Sequence, residues 1–281
     1  MTVEEFKKKW RKELERDYPQ TEIRAFFLLV FEECLGWNRW DVVIAPCREL
    51  KPSSVKKLEQ ILNRLKRGEP IQYVMGYTEF CGLRFKVSPD VLIPRFETEG
   101  LVQWVVQEQQ GKKIKILDIG TGSGCIAISL AKVLDKAQVY AVDLSEQALA
   151  VARENAGENK VEVHFEKVDI LNPSDDLGAV DVMVSNPPYV RLSERRLMHK
   201  NVLEYEPGLA LYVEDDHPLI FYEKILAFAK KHLNKGGWIY FEINEFLKEE
   251  LQKLMEYHQC KSIDFQKDEY GKWRMLKVGL G

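Results

Sequence analysis

From Lys113 onward the chain alternates between two hydrophobic patterns. "IKILDIG" and "VDVMVSNPPY" are short and mostly apolar before their polar ends, as strands buried on both faces are. "GCIAISLAKVL", "SEQALAVARENA" and "HPLIFYEKILAFAKKHL" instead place apolar residues at three- and four-residue steps, the period of a helix. "QVYAVDLS", "VEVHFEKVDI" and "GGWIYFEIN" read as further strands, and "NEFLKEELQKLMEYH" as a further helix. Parallel strands need long crossovers, so this alternation predicts an α/β fold with a mostly parallel sheet covered on both faces. "SIDFQKD" and "WRMLKVG" flank a tight turn at Glu269-Tyr270-Gly271 and are predicted to pair antiparallel, completing seven strands. Ligands in such sheets bind at the carboxyl ends of the strands, where the polar motifs of this chain fall.

The first 70 residues read as helical. Val3, Phe6, Trp10 and Leu14 keep helical spacing behind a Thr2/Glu5 capping box. A second helix begins near Thr21 and stops at Gly36, a short one covers Arg39 to Ala45, and a fourth runs from Ser53–Ser54 to Gly68. From Tyr73 the period changes, and "YTEFCGLRFKV" predicts a hairpin around Cys81-Gly82. Two prolines in "SPDVLIPRFETEGLV" precede a helix starting near Glu97. The expected domains are a helical substrate-recognition domain over 1–72, a linking hairpin over 73–90 and the α/β domain over 91–281.

Composition narrows the partners. A net charge of −3 in 281 residues, and a net +3 over residues 1–70, argue against a protein living on bulk nucleic acid or an anionic membrane. The five cysteines are scattered and odd in number, which fits a reducing, cytoplasmic compartment. No Cys or His pair has metal-ligand spacing, so no bound metal is expected. The N-terminus lacks the apolar core of a signal peptide, and no run approaches the roughly 20 apolar residues of a membrane span.

"LDIGTGSGC" places Gly120, Gly122 and Gly124 between a strand and a helix. Glycines there let backbone approach a ligand closely, beside the free N–H groups of the helix start. The spacing is not the dinucleotide G-x-G-x-x-G, and Asp118 directly before the loop disfavours a pyrophosphate but suits an ammonium. Asp143 ends the second strand about 20 residues later, where an acid chelates ribose hydroxyls. Asp169 ends the third strand, positioned to bond an adenine amino group with Ile170 packing on the base. A tight turn with solvated caps is the plainer alternative for each feature alone.

"NPPY" ends the fourth strand. Asn186 offers a side-chain carbonyl, and Pro187 fixes φ and carries no N–H, so its carbonyl is held as a second acceptor. Two adjacent acceptors suit a planar –NH2, and Pro188 and Tyr189 complete the wall, with the phenol ring able to stack on a flat group. Such a nitrogen is a poor nucleophile because its lone pair is delocalised. Holding both hydrogens orients it and stabilises the charge that grows on it, with no strong base required. A strand ended by Pro-Pro is the purely structural reading.

"DIGTGSG" with Asp143 resembles the S-adenosylmethionine site of class I methyltransferases. That resemblance implies a Rossmann-like, seven-stranded sheet with an antiparallel C-terminal strand. The loop Gly120, Thr121, Gly122, Ser123 and Gly124 would wrap the methionine portion, with Asp118 behind it. Asp143 and Leu144 would meet the ribose, and Asp169 and Ile170 the adenine. "VLIPRFETEGLV", "NPPYV" and "YEPGLAL", with the helical N-terminal layout, resemble the peptide chain release factor glutamine methyltransferases of the HemK or PrmC type. The resemblance covers essentially the whole chain. It departs at Phe96, where a second proline is usual, and at Asp215-Asp216, where Asp-Gly is usual.

The family implies methylation of the glutamine in the Gly-Gly-Gln motif of class 1 release factors, yielding S-adenosylhomocysteine. Asn186 and Pro187 would hold the amide, Tyr189 would pack on it, and Arg95, Phe96, Thr98 and Glu99 would border the cofactor or the substrate entrance. A monomer without direct nucleic-acid binding is expected. Three alternatives stay open: a ribosomal-protein glutamine methyltransferase, an adenine-N6 methyltransferase on DNA or RNA, and a fold that binds without catalysis.

Overall fold

The protein is described from a computed structural model that covers residues 1–173 and 178–281. Two compact units divide the chain. One comprises Met1–Gly76 with His199–Tyr205, and the other Tyr77–Met198 with Glu206–Gly281.

The first unit holds α1 (Val3–Leu14), α2 (Gln20–Leu35), α3 (Arg39–Ile44), α4 (Pro52–Lys66) and α5 (Ile71–Met75). The capping box at its start forms: Thr2 Oγ1 accepts from the Glu5 amide at 3.2 Å, and Glu5 Oε2 accepts from the Thr2 amide at 2.8 Å. Phe6, Trp10, Phe27, Phe31, Leu58 and Leu62 are buried together, with Phe27 stacked on Phe31 at 4.2 Å. Trp10 places its indole N–H on the Ile23 carbonyl at 3.1 Å, so the ring is buried without stranding its donor. Tyr73–Met75, expected to open the hairpin, complete the helical turn α5, and the hairpin begins after it at Tyr77.

In the second unit the strands are β1 (Tyr77–Phe80), β2 (Leu83–Lys86), β3 (Lys115–Ile119), β4 (Gln138–Asp143), β5 (His164–Lys167), β6 (Val180–Ser185), β7 (Val190–Arg191), β8 (Tyr212–Val213), β9 (Leu233–Glu242), β10 (Ser262–Lys267) and β11 (Trp273–Gly279). Its helices are α6 (Phe96–Gln109), α7 (Cys125–Val133), α8 (Glu146–Asn159), α10 (Ile220–His232) and α11 (Lys248–Tyr257). The intervening α9 (Lys200–Tyr205) belongs to the first unit, where Tyr205 donates its hydroxyl to the Arg67 carbonyl at 3.0 Å. In the hairpin, Cys81 and Gly82 both take positive φ (49° and 70°), as a two-residue type I′ turn requires.

The main sheet has the order β10-β11-β9-β6-β3-β4-β5. All its neighbours pair in parallel except those of β11, which runs antiparallel to both β9 and β10. The expected antiparallel pair is therefore present, with its second strand inserted next to the sheet. Strand order reverses between β3 and β6, so a crevice opens at their carboxyl ends. One core packs Leu101, Val105, Ile126, Leu130 and Val182 on one face, and another packs Leu117, Met183, Ile225, Leu226 and Phe241 on the opposite face. Among the described residues no helix is long and apolar enough to cross a membrane, and no cluster of His, Cys, Asp or Glu could hold a metal ion.

Asn155 on α8 ties the hairpin to the loop after β3. Its Nδ2 donates to the Ser123 carbonyl at 2.8 Å and the Lys86 carbonyl at 3.0 Å, and its Oδ1 accepts from the Lys86 amide at 2.6 Å. Asn155→Leu should lower unfolding stability by about 2–4 kcal/mol, because these backbone groups lose their partner in an apolar setting. Urea unfolding checks this, and a loss below about 0.5 kcal/mol would contradict the bridge.

Candidate active site

The glycine loop follows β3 and is held from beneath. Gly120, Gly122 and Gly124 have φ of 75°, 56° and 82°, a region that side chains with a Cβ rarely enter. A Cβ at Gly124 would stand 2.8 Å from Ile128 Cδ1 and 3.1 Å from Ala152 Cβ, so this glycine lets α7 and α8 pack closely. At Gly120 and Gly122 a Cβ would meet nothing within 4 Å, and both residues line the cleft.

Asp118 is fully buried below the loop. Its Oδ2 accepts from the Thr121 hydroxyl at 2.6 Å and the Ala127 amide at 3.2 Å. Burial pushes its carboxyl up to about 7, against the lowering effect of those two donors. Asp143, at the end of β4, accepts from the Gly122 amide at 2.8 Å and the Ser145 amide at 2.9 Å. Burial raises its carboxyl too, offset by these amides. Asp143 therefore clasps the loop and still keeps lone pairs for a ligand.

The cleft measures about 200 Å³ and lies at the ends of β3, β4 and β6. Gly120, Gly122, Asp143, Leu144, Asp169, Ile170, Asn186, Pro187 and Pro188 all line it. Asp169 is braced by the Leu171 amide at 2.9 Å and Asn172 Nδ2 at 3.0 Å. Val91, Leu92, Leu209 and Phe221 add apolar walls that the sequence reading did not single out.

The segment after β6 is restrained along its length. Ser185 donates to the Ile119 carbonyl at 2.7 Å, locking the end of β6 to β3. Asn186 Nδ2 donates to Thr98 Oγ1 at 3.2 Å, and that hydroxyl donates to Glu242 Oε2 at 2.6 Å. Tyr189 donates its hydroxyl to Glu242 Oε1 at 2.9 Å. Beyond it, β7 pairs with β8, with the Val190 amide on the Leu211 carbonyl at 2.9 Å.

Several expected site residues stand elsewhere. Tyr189 does not line the cleft: Glu242 draws its hydroxyl inward, and burial beside that carboxylate holds the phenol well above its usual pKa. Asp118, Thr121, Ser123 and Gly124 support the loop and do not line the cleft, because the chain turns there into α7. Arg95 pairs with buried Glu206 at 2.7 Å, and Glu206 also accepts from the Ile93 amide at 3.2 Å, pinning the Ile93-Pro94-Arg95 segment. Phe96 and Glu99 border a different cavity beside Met275 and Tyr270, with Phe96 54% exposed and Glu99 accepting from the Cys81 amide at 2.8 Å. Glu242 was missed as a site residue, although it is the one acid inside the apolar run "WIYFEI".

An aspartate that titrates near 7 when folded, against 3.8 ordinarily, binds more protons folded than unfolded. Its contribution to stability is present at low pH and is lost as pH rises from about 4 to about 7. Relative to Asp118→Asn, the wild-type protein should therefore lose about 2–3 kcal/mol between pH 5 and pH 8 in urea unfolding. A difference independent of pH would contradict this.

The comparisons with known proteins agree with this geometry. Residues 5–76 match the PrmC N-terminal domain, and residues 96–204 the Methyltransferase small domain. The release factor glutamine methyltransferase of Flavobacterium psychrophilum is 45% identical over 284 residues, covering all of both chains. That of Bacteroides thetaiotaomicron is 43% identical over 267 residues, 95% of this chain and 96% of its own. Among solved structures, the hMettl16 catalytic domain in complex with a MAT2A 3′UTR hairpin shares the fold, with a TM-score of 0.58 at 15% identity over 82% of this chain and 83% of that chain. With full-length identity at this level and both domains matched, the chain belongs to the release factor glutamine methyltransferase family.

Proposed function

We propose that this protein transfers a methyl group from S-adenosylmethionine to the side-chain amide nitrogen (N5) of the glutamine in the Gly-Gly-Gln motif of class 1 peptide chain release factors. The carrying observation is the state of Asn186. Its –NH2 is engaged by Thr98, while its Oδ1 accepts no hydrogen bond from the described residues and stands in a residue that lines the cleft. An acceptor held this way, beside the carbonyl of Pro187, matches the two hydrogens of a primary amide.

The cleft also fits the cofactor. Open space stands where Gly120 and Gly122 lack a Cβ, and Asp143 sits at the strand end that suits a ribose diol. The Gly120–Gly124 loop would hold the methionine portion, Asp143 and Leu144 the ribose, and Asp169 with Ile170 the adenine. When bound there, S-adenosylmethionine supplies a methyl carbon made electrophilic by its sulfonium. The chain itself contributes orientation and electrostatics: Asn186 Oδ1 and the Pro187 carbonyl fix the amide plane and favour positive charge on its nitrogen.

The helical unit is read as the grip on the release factor, with Trp40, Val43 and Ile44 exposed on α3. The enzyme is read as a cytoplasmic monomer without direct nucleic-acid contacts.

Purified protein with labelled S-adenosylmethionine should label an unmodified class 1 release factor at the Gly-Gly-Gln glutamine, located by mass spectrometry. Label on a ribosomal protein or on DNA, with the release factor unlabelled, would overturn the substrate. Asn186→Ala should lower kcat by at least about a hundredfold. Cofactor affinity should stay within about tenfold, or 1.4 kcal/mol, and wild-type turnover would refute the role given to Asn186.

A further inference from the structure

We infer that Glu242 and Thr98 are positioning residues for the methyl acceptor: together they decide which way round the Asn186 amide stands. The inference rests on the amide-clamp reading above. The oxygen and nitrogen ends of an asparagine amide are nearly the same size, so packing alone does not choose between them. Hydrogen-bond polarity does.

Glu242 lies at the end of β9, one strand from the end of β6, and is 1% exposed. Ionised, it only accepts. Its two oxygens take two hydroxyls, Thr98 at 2.6 Å on Oε2 and Tyr189 at 2.9 Å on Oε1. A hydroxyl carries one proton, and Thr98 spends its proton on Glu242. Toward Asn186, 3.2 Å away, the Thr98 oxygen can therefore only accept. The –NH2 of Asn186 must face Thr98, and the Oδ1 must face the other way. A buried carboxyl group that accepts from Thr98 thus sets the orientation of a neutral acceptor through one intervening hydroxyl. Burial disfavours the charged form of Glu242, while the two hydroxyls and Arg274 favour it.

The same carboxylate acts at both ends of the Asn186–Tyr189 segment. Thr98 holds its first residue, and the Tyr189 hydroxyl anchors its last. Neither Glu242 nor Thr98 lines the cleft, so both act through Asn186 and the segment that carries it.

The test uses the full-length protein with release factor and S-adenosylmethionine. Glu242→Gln keeps size but brings an –NH2 that must face one of the two hydroxyls. Thr98→Val removes the relay, and Thr98→Ser keeps it. Glu242→Gln and Thr98→Val should each lower kcat by at least about tenfold with cofactor Kd near wild type, while Thr98→Ser stays within about threefold. Turnover of Glu242→Gln above half the wild-type value, or equal losses in Thr98→Ser and Thr98→Val, would overturn the inference. Should Glu242→Gln fail to fold, the Thr98 pair decides alone.

A second readout is independent of activity. In protein labelled with ¹⁵N-asparagine, the Asn186 side-chain –NH2 should exchange slowly in wild type and Thr98→Ser and quickly in Thr98→Val. Slow exchange in all three would refute the relay. A wild type that leaves the release factor unmethylated but shows this exchange pattern would sink the substrate reading and leave the positioning intact.

Discussion

The parallel pairing of β3 with β6 is the contact on which the site depends. It sets Ile116 opposite Val182, Asp118 opposite Val184 and Ile119 opposite Ser185. With that register the glycine loop and the Asn186 segment leave the sheet side by side, on the two sides of the point where strand order reverses. Successive side chains alternate faces, so a slip of one residue would turn Asp118 away from Thr121 and α7. The Ser185 hydroxyl on the Ile119 carbonyl fastens the last rung, directly below the cleft.

Around this contact the protein places three acids with different tasks, Asp118 and Glu242 buried and Asp143 half-buried. Asp118 braces the turn into α7, Asp143 clasps the loop at Gly122, and Glu242 gathers two hydroxyls under the Asn186 segment. Each carboxylate costs desolvation, and each recovers part of it through its donors: two backbone amides at Asp143, two hydroxyls at Glu242, and one of each at Asp118. None of the three is placed as a proton acceptor for the reaction. Their work is to hold acceptors and amides still before a substrate arrives, which suits a nucleophile whose difficulty is orientation.

Much of this was legible in the sequence because it is local. The capping box at Thr2 and Glu5, the turn at Cys81-Gly82 and the alternation of strands and helices depend on neighbours a few residues apart. The cleft residues at strand ends were legible for the same reason. What could not be read depends on partners far along the chain. The pattern of "WRMLKVG" announces a buried strand but not that it lies between β9 and β10. The two-residue strands β7 and β8 are too short to show any period. "VEVHFEKVDI" looked like a long strand, but as the sheet edge it pairs over only four residues. Tyr189 was expected to face the ligand, and only the position of Glu242, 53 residues on, explains why it turns inward.

Asn155 carries a consequence for how this chain can vary over evolutionary time. It reads three groups, all of them backbone: the Ser123 carbonyl and both polar groups of Lys86. Positions 86 and 123 can therefore change side chain without disturbing the bridge, since the atoms recognised are common to nearly every residue. Position 155 has no such freedom, because donor and acceptor must sit on one short, planar group. As far as this bridge is concerned, drift is permitted at two ends of the contact and forbidden at the third.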